Sequence, residues 1–81
     1  MNVALSYVLE SDTPLLKELD RVALLADAPA DEGQIVPAGS EGTIVGIWQG
    51  GLAYEVEFTQ PFHALATVRI EYLRKLLHAE G

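Results

Sequence analysis

The sequence predicts a mainly β fold: a small barrel of about five antiparallel strands, with an N-terminal extension and one short helix. Three observations predict it. Apolar and polar residues alternate along several short runs, the period-2 pattern of half-buried strands. Gly50-Gly51 separates two such runs with residues suited to the positive φ of a tight hairpin. A length of 81 residues, 49% of them apolar, is enough for one core and one domain. The division expected is an extension over 1–19, the barrel over 20–77 and a tail over 78–81.

Residues 1–10 place Val3, Leu5, Tyr7 and Leu9 at alternate positions, which predicts a strand. Leu5, Val8 and Leu9 also share a helical face, so a helix is the alternative. Thr13 followed by Pro14 forms a cap with proline at the first helical position, predicting a short helix over 15–19. A strand over 21–26 follows. The stretch 27–41 holds Pro29, Gly33, Pro37 and Gly39 and is expected to be a long loop. Strands are then expected over 42–48, 53–59 and 64–70, with 73–77 as a short fifth strand or the start of the tail.

Register follows from the turns. A two-residue Gly50-Gly51 turn sets Ile47 opposite Tyr54 and Val45 opposite Val56, all four facing the core. Setting Val56 opposite Val68 in the next hairpin keeps the faces matched. That register also places Glu55 beside Arg69, a cross-strand pair worth about 0.2 to 1 kcal/mol. It leaves Trp48 and Ile44 on the opposite face with Ala53, Glu55 and Glu57. A second burial surface is therefore expected, supplied by the first twelve residues folding back over Trp48 or by another subunit.

Composition excludes several function classes. There are 12 Asp plus Glu against 5 Lys plus Arg, for a net charge of -7. Lys17, Arg21, Arg69, Arg74 and Lys75 are scattered, and the overall field repels a polyanion, so no nucleic-acid partner is expected. No run approaches the roughly 18 to 20 apolar residues needed to span a bilayer. Residues 1–10 lack a basic n-region and a cleavage site, so a soluble cytoplasmic protein and no membrane partner are expected. The absence of cysteine rules out disulfides, thiolate metal sites and cysteine nucleophiles.

Motifs for chemistry are weak throughout. Asp27, Asp31, Glu32 and Glu41 make the long loop acidic, but without the spacing of a calcium loop, so a solvated loop is the better account. His63 and His78 are expected in a turn and in the tail, and no metal site is expected. Gly39-Ser40-Glu41-Gly42 is one residue short of a nucleophile elbow and reads as a glycine-hinged entry to a strand. Glu55 and Glu57 are expected on a solvent-facing side near Arg69. No glycine-rich phosphate loop is present, so no cofactor and no enzymatic activity are expected.

Several segments together resemble a known family: Asp20-Arg21-Val22-Ala23-Leu24, then Pro37 through Val45 with Gly39, Gly42, Thr43 and Ile44, then Ala53-Tyr54-Glu55-Val56-Glu57-Phe58, then Tyr72-Leu73-Arg74. In order and spacing they are similar to a family of short, stand-alone bacterial proteins filed as a domain of unknown function. The resemblance covers about residues 16–76. It implies a small SH3-like β-barrel, and a mobile-gene-cassette protein is one expectation of that kind. The Gly-x-x-Gly-x-Ile-Val stretch is also similar to SH3-like modules of ribosomal and transcription proteins. Those are basic where they bind RNA, and this chain is acidic. The resemblance implies no activity and no functional residues, and the leader 1–12 departs from its pattern.

The sequence therefore states no function outright. The leading expectation is a non-enzymatic protein-interaction module acting as a homo-oligomer, dimer or tetramer, with Trp48, Ile44, Tyr7, Leu5 and Tyr72 as contact residues. A second is an acidic antitoxin or immunity-type inhibitor of a basic enzyme. A third is a ligand-binding oligomer with a pocket between subunits.

Overall fold

A computed structural model describes residues 16–77. The expectations for residues 1–15 and 78–81, including the strand over 1–10, fall outside the described residues.

Among the described residues, seven strands form two sheets. The main sheet contains β1 (Arg21–Leu24), β4 (Glu41–Trp48), β5 (Ala53–Phe58), β6 (Ala64–Arg69) and β7 (Leu73–Lys75), in the order β6-β5-β4-β1-β7. Every pairing in it is antiparallel. β2 (Ala28–Pro29) and β3 (Ile35–Val36) pair as a small hairpin of their own. The five expected strands are all present. Among the described residues the main sheet is open, however, with β6 and β7 as its two edges and no closed barrel.

The alternation that predicts the strands also sorts their faces. β6 runs buried-exposed without interruption, and β5 turns Tyr54, Val56 and Phe58 inwards. Tyr54, Phe58, Ile44, Val22, Val36 and Val56 are the largest fully buried side chains. Gly42 belongs to this core because it has no Cβ: one built there would lie 2.7 Å from the Glu57 carbonyl oxygen and 2.7 Å from Val56 Cγ1.

The structure corrects the sequence expectations at five places. The strand expected over 21–26 ends at Leu24, where the chain bends after a last bond in the β1–β7 register from Leu25 N–H to the Tyr72 carbonyl. The long loop is partly ordered as the β2–β3 hairpin, which turns at Gly33 with φ 105°, and Glu41 already belongs to β4. No helix forms over 16–19. Leu19 adopts φ 74°, outside helical space, and Asp20 Oδ2 instead accepts from Lys17 N–H at 2.9 Å to close a turn. The only helical turn among the described residues is a 3-10 turn at Ile70–Tyr72.

The fourth correction is a β-bulge. Ile47 stands opposite Tyr54 as expected, but Ile44, not Val45, stands opposite Val56. One extra residue in β4 shifts the face of everything before it. Ile44 is fully buried and Val45 exposed, which removes Ile44 from the list of surface contact residues. The second greasy face inferred for Ile44 and Trp48 together shrinks to Trp48.

The fifth correction is the β5–β6 register. Val56 pairs with Ala66 and Tyr54 with Val68, two residues away from the expected alignment. The parity is right, so the faces match. The connecting loop between Phe58 and Ala64 is longer than expected, and its Phe62 packs against the core. Glu55 consequently faces Thr67, and Arg69 turns to Glu71, with Nε donating at 2.9 Å.

Candidate functional site

Three cross-strand rows make up the sheet face turned away from the core. Trp48, Ala53 and Arg69 form the first, Gly46, Glu55 and Thr67 the second, and Thr43, Glu57 and Leu65 the third. Trp48 stands at the β4 end of this face and is 52% exposed. Its neighbours Ile47 and Leu52 are exposed too, so the β4–β5 hairpin ends in an apolar tip.

Beside the indole lies a polar cluster. Thr67 Oγ1 donates to Glu55 Oε1 at 2.7 Å, and the Trp48 side chain lies close enough to the Glu55 carboxyl to favour its charged form. Asp31 reaches the same carboxyl from the β2–β3 turn. Its backbone N–H donates to the Leu65 carbonyl at 2.7 Å, which anchors the hairpin tip on β6. Two neighbouring carboxyls attract only when one of them is protonated, because a charged carboxylate has nothing to donate.

The two groups titrate in opposite directions. The hydrogen bond to Glu55 pushes the Asp31 carboxyl above its ordinary value, aided by desolvation and by the charge on Glu55. Partial burial pushes Glu55 up, but hydrogen bonds from Thr67, Asp31 and Trp48 outweigh it and hold the group below the ordinary range. Of the two, Asp31 therefore keeps its proton to the higher pH. Farther along the face, His63 Nε2 lies 3.1 Å from Glu57 Oε2.

A cavity of about 80 Å³, lined by Ala30, Asp31, Gln34, His63 and Leu65 among others, adjoins this cluster. That is far below the several hundred Å³ of a typical substrate pocket. Among the described residues, no three histidine or acidic side chains gather to hold a metal ion, and no helix is long and apolar enough to cross a membrane.

The structure separates the expected contact residues. Trp48 is on the surface and Ile44 is in the core. Tyr72, 46% exposed, sits in the 3-10 turn beside β7, with its carbonyl taking Leu25 N–H. Leu5 and Tyr7 fall outside the described residues. Thr67 was not legible as a site residue, since its partner depends on a register that no local pattern specifies. Asp31 was visible only as one acid in an acidic loop.

No curated protein and no solved structure matches this chain. A family model described as a domain of unknown function matches residues 18–62, which contain β1 through β5 and the hairpin that carries Asp31. With more than half its length matched, the chain belongs to that family, DUF4926.

Proposed function

We propose that this protein is a non-enzymatic interaction module that associates with copies of itself through the Trp48 end of the β4–β5 hairpin. The observation that carries this reading is the exposed indole. Trp48 is 52% exposed on a paired strand, not at a free terminus, with Ile47 and Leu52 exposed beside it. Covering the exposed half of a tryptophan removes roughly 80–130 Å² from water, a gross gain of about 2–3 kcal/mol per copy. The strand order β6-β5-β4-β1-β7, which sets the last strand against the first after a 3-10 turn, supports the SH3-like reading of the fold.

Sedimentation across a concentration series tests this. The parent chain is expected to run as a dimer or tetramer, and Trp48→Ser as a monomer with unchanged far-ultraviolet circular dichroism. Equal sedimentation of the two chains sinks the reading.

A second reading rests on charge. Asp31, Glu55 and Glu57 lie on the face that carries Trp48, in a chain of net charge -7. That combination favours a basic protein partner, as an acidic inhibitor of a basic enzyme would need. Its signature is affinity for a basic partner that falls steeply with added salt.

A further inference from the structure

The two edges of the main sheet are not alike. β7 is three residues long and carries Arg74 and Lys75, charges that discourage another strand from pairing. β6 has six residues, no proline and no bulge, and ends in the single charge of Arg69. Its ladder shows which main-chain groups face outwards. Ile70 N–H donates to the Leu52 carbonyl, so the hydrogen-bonded pairs with β5 are Tyr54–Val68, Val56–Ala66 and Phe58–Ala64. Leu65, Thr67 and Arg69 therefore turn their N–H and C=O groups away from β5. The Leu65 carbonyl, which accepts from Asp31 N–H, lies on that outer side as the alternation requires. Among the described residues, no backbone group reaches Thr67 or Arg69 from there.

We propose that residues 3–9 of the same chain pair with the Thr67–Arg69 part of this edge as a sixth strand of the main sheet. Only an extended segment matches main-chain donors and acceptors spaced along a strand. Residues 3–9 alternate Val3, Leu5, Tyr7 and Leu9 with the smaller Ala4, Ser6 and Val8. β6 turns only Ala64, Ala66 and Val68 towards the core, so a neighbour with large inward side chains packs against small ones.

The place where the described chain begins favours its own N-terminal segment as the occupant. Leu16 is buried, and its N–H lies 3.4 Å from the Tyr54 hydroxyl. Tyr54 pairs with Val68, so Leu16 sits beneath the strand next to β6. Residues 10–15 span up to about 20 Å, and neighbouring strands lie about 4.8 Å apart. A tether that reaches gives an effective concentration in the millimolar range, above that of a second copy in dilute solution. This inference is independent of self-association through Trp48.

Amide hydrogen exchange on the full chain tests it, beside a chain lacking residues 1–10 and a full-length Leu5→Lys/Tyr7→Lys variant. Thr67 and Arg69 N–H are expected to be protected in the full chain, unchanged on dilution and unchanged in Trp48→Ser. Both other chains are expected to exchange there at least about tenfold faster, while Val56 and Val68, which bond within the β5–β6 ladder, stay protected. Equal protection of Thr67 and Arg69 in all chains overturns the proposal, as does their fast exchange in the full chain. Protection that fades on dilution assigns the edge to a second copy and overturns it as well.

Discussion

Ile44 lies directly opposite Val56 in the β4–β5 ladder, and the residue skipped before the next pair is Val45. This one-residue slip decides which apolar side chain of β4 enters the core. Ile44→Ala is expected to cost about 2–5 kcal/mol by emptying a filled site. Val45→Ala, at a position 40% exposed, is expected to cost less than about 1 kcal/mol. Urea unfolding of the two variants checks the bulge, since an unbroken ladder reverses their order.

Gly42 and Gly46 make a second graded pair. A Cβ on Gly42 meets backbone and two core side chains at 2.7–2.9 Å, whereas one on Gly46 meets only Glu55 Cβ at 3.3 Å. Gly42→Ala is expected to destabilise by at least about 1–3 kcal/mol through overpacking, and Gly46→Ala by clearly less. Thermal unfolding reads the difference, and equal losses contradict the close approach of β4 to β5 at Gly42.

Asp20 is the one buried charged residue among the described residues. Its Oδ2 accepts from Lys17 N–H at 2.9 Å and lies 3.6 Å from Lys75 Nζ. Asp20→Ala leaves the Lys17 amide without its acceptor and is expected to cost about 1–3 kcal/mol. Lys75→Ala removes only a partly exposed partner and is expected to cost less than about 1 kcal/mol. Similar losses from both would place the weight on the ion pair and not on the turn.

The Asp31–Glu55 contact makes the hairpin tip sensitive to pH in both directions. Asp31 is raised, so its contribution is complete below its ordinary value and is lost as pH rises through the raised one. Glu55 is lowered, so its contribution is complete above its ordinary value and is lost as pH falls through the lowered one. The clasp is therefore strongest in the acidic interval between the two, where the pair holds one proton. Carboxyl NMR titration is expected to find Asp31 titrating above Glu55, and Asp31→Asn to abolish weakening of the tip on the alkaline side. Ordinary titration of both groups contradicts the coupling of Asp31 to Glu55.

The inward positions of β5 and β6 were legible because a residue pointing into the core must be apolar and its neighbour need not be. Tyr54, Val56 and Val68 are buried for that reason. The place and register of the hairpin at Gly50-Gly51 were equally legible, although its turn spans four residues, 49–52, with Gln49, Gly50 and Gly51 at φ of 53°, 68° and 108°. The exposed Trp48 was anticipated from its place opposite Ala53. The Asp31–Glu55–Thr67 cluster was not, because it joins three segments whose meeting depends on the loop after Phe58 and on the fold of the hairpin after Leu24.

Local chemistry alone thus determined the antiparallel class, the five strands of the main sheet, the core side of most strands and the acidity of the surface. These depend on periods of two residues and on turn residues, which act over a few positions. Packing decided the bulge at Val45, the β5–β6 alignment, the open sheet and the meeting of Asp31 with Glu55 on the outer face. Each of those compares alternatives with nearly equal local cost, and only contacts between residues far apart in the chain separate them.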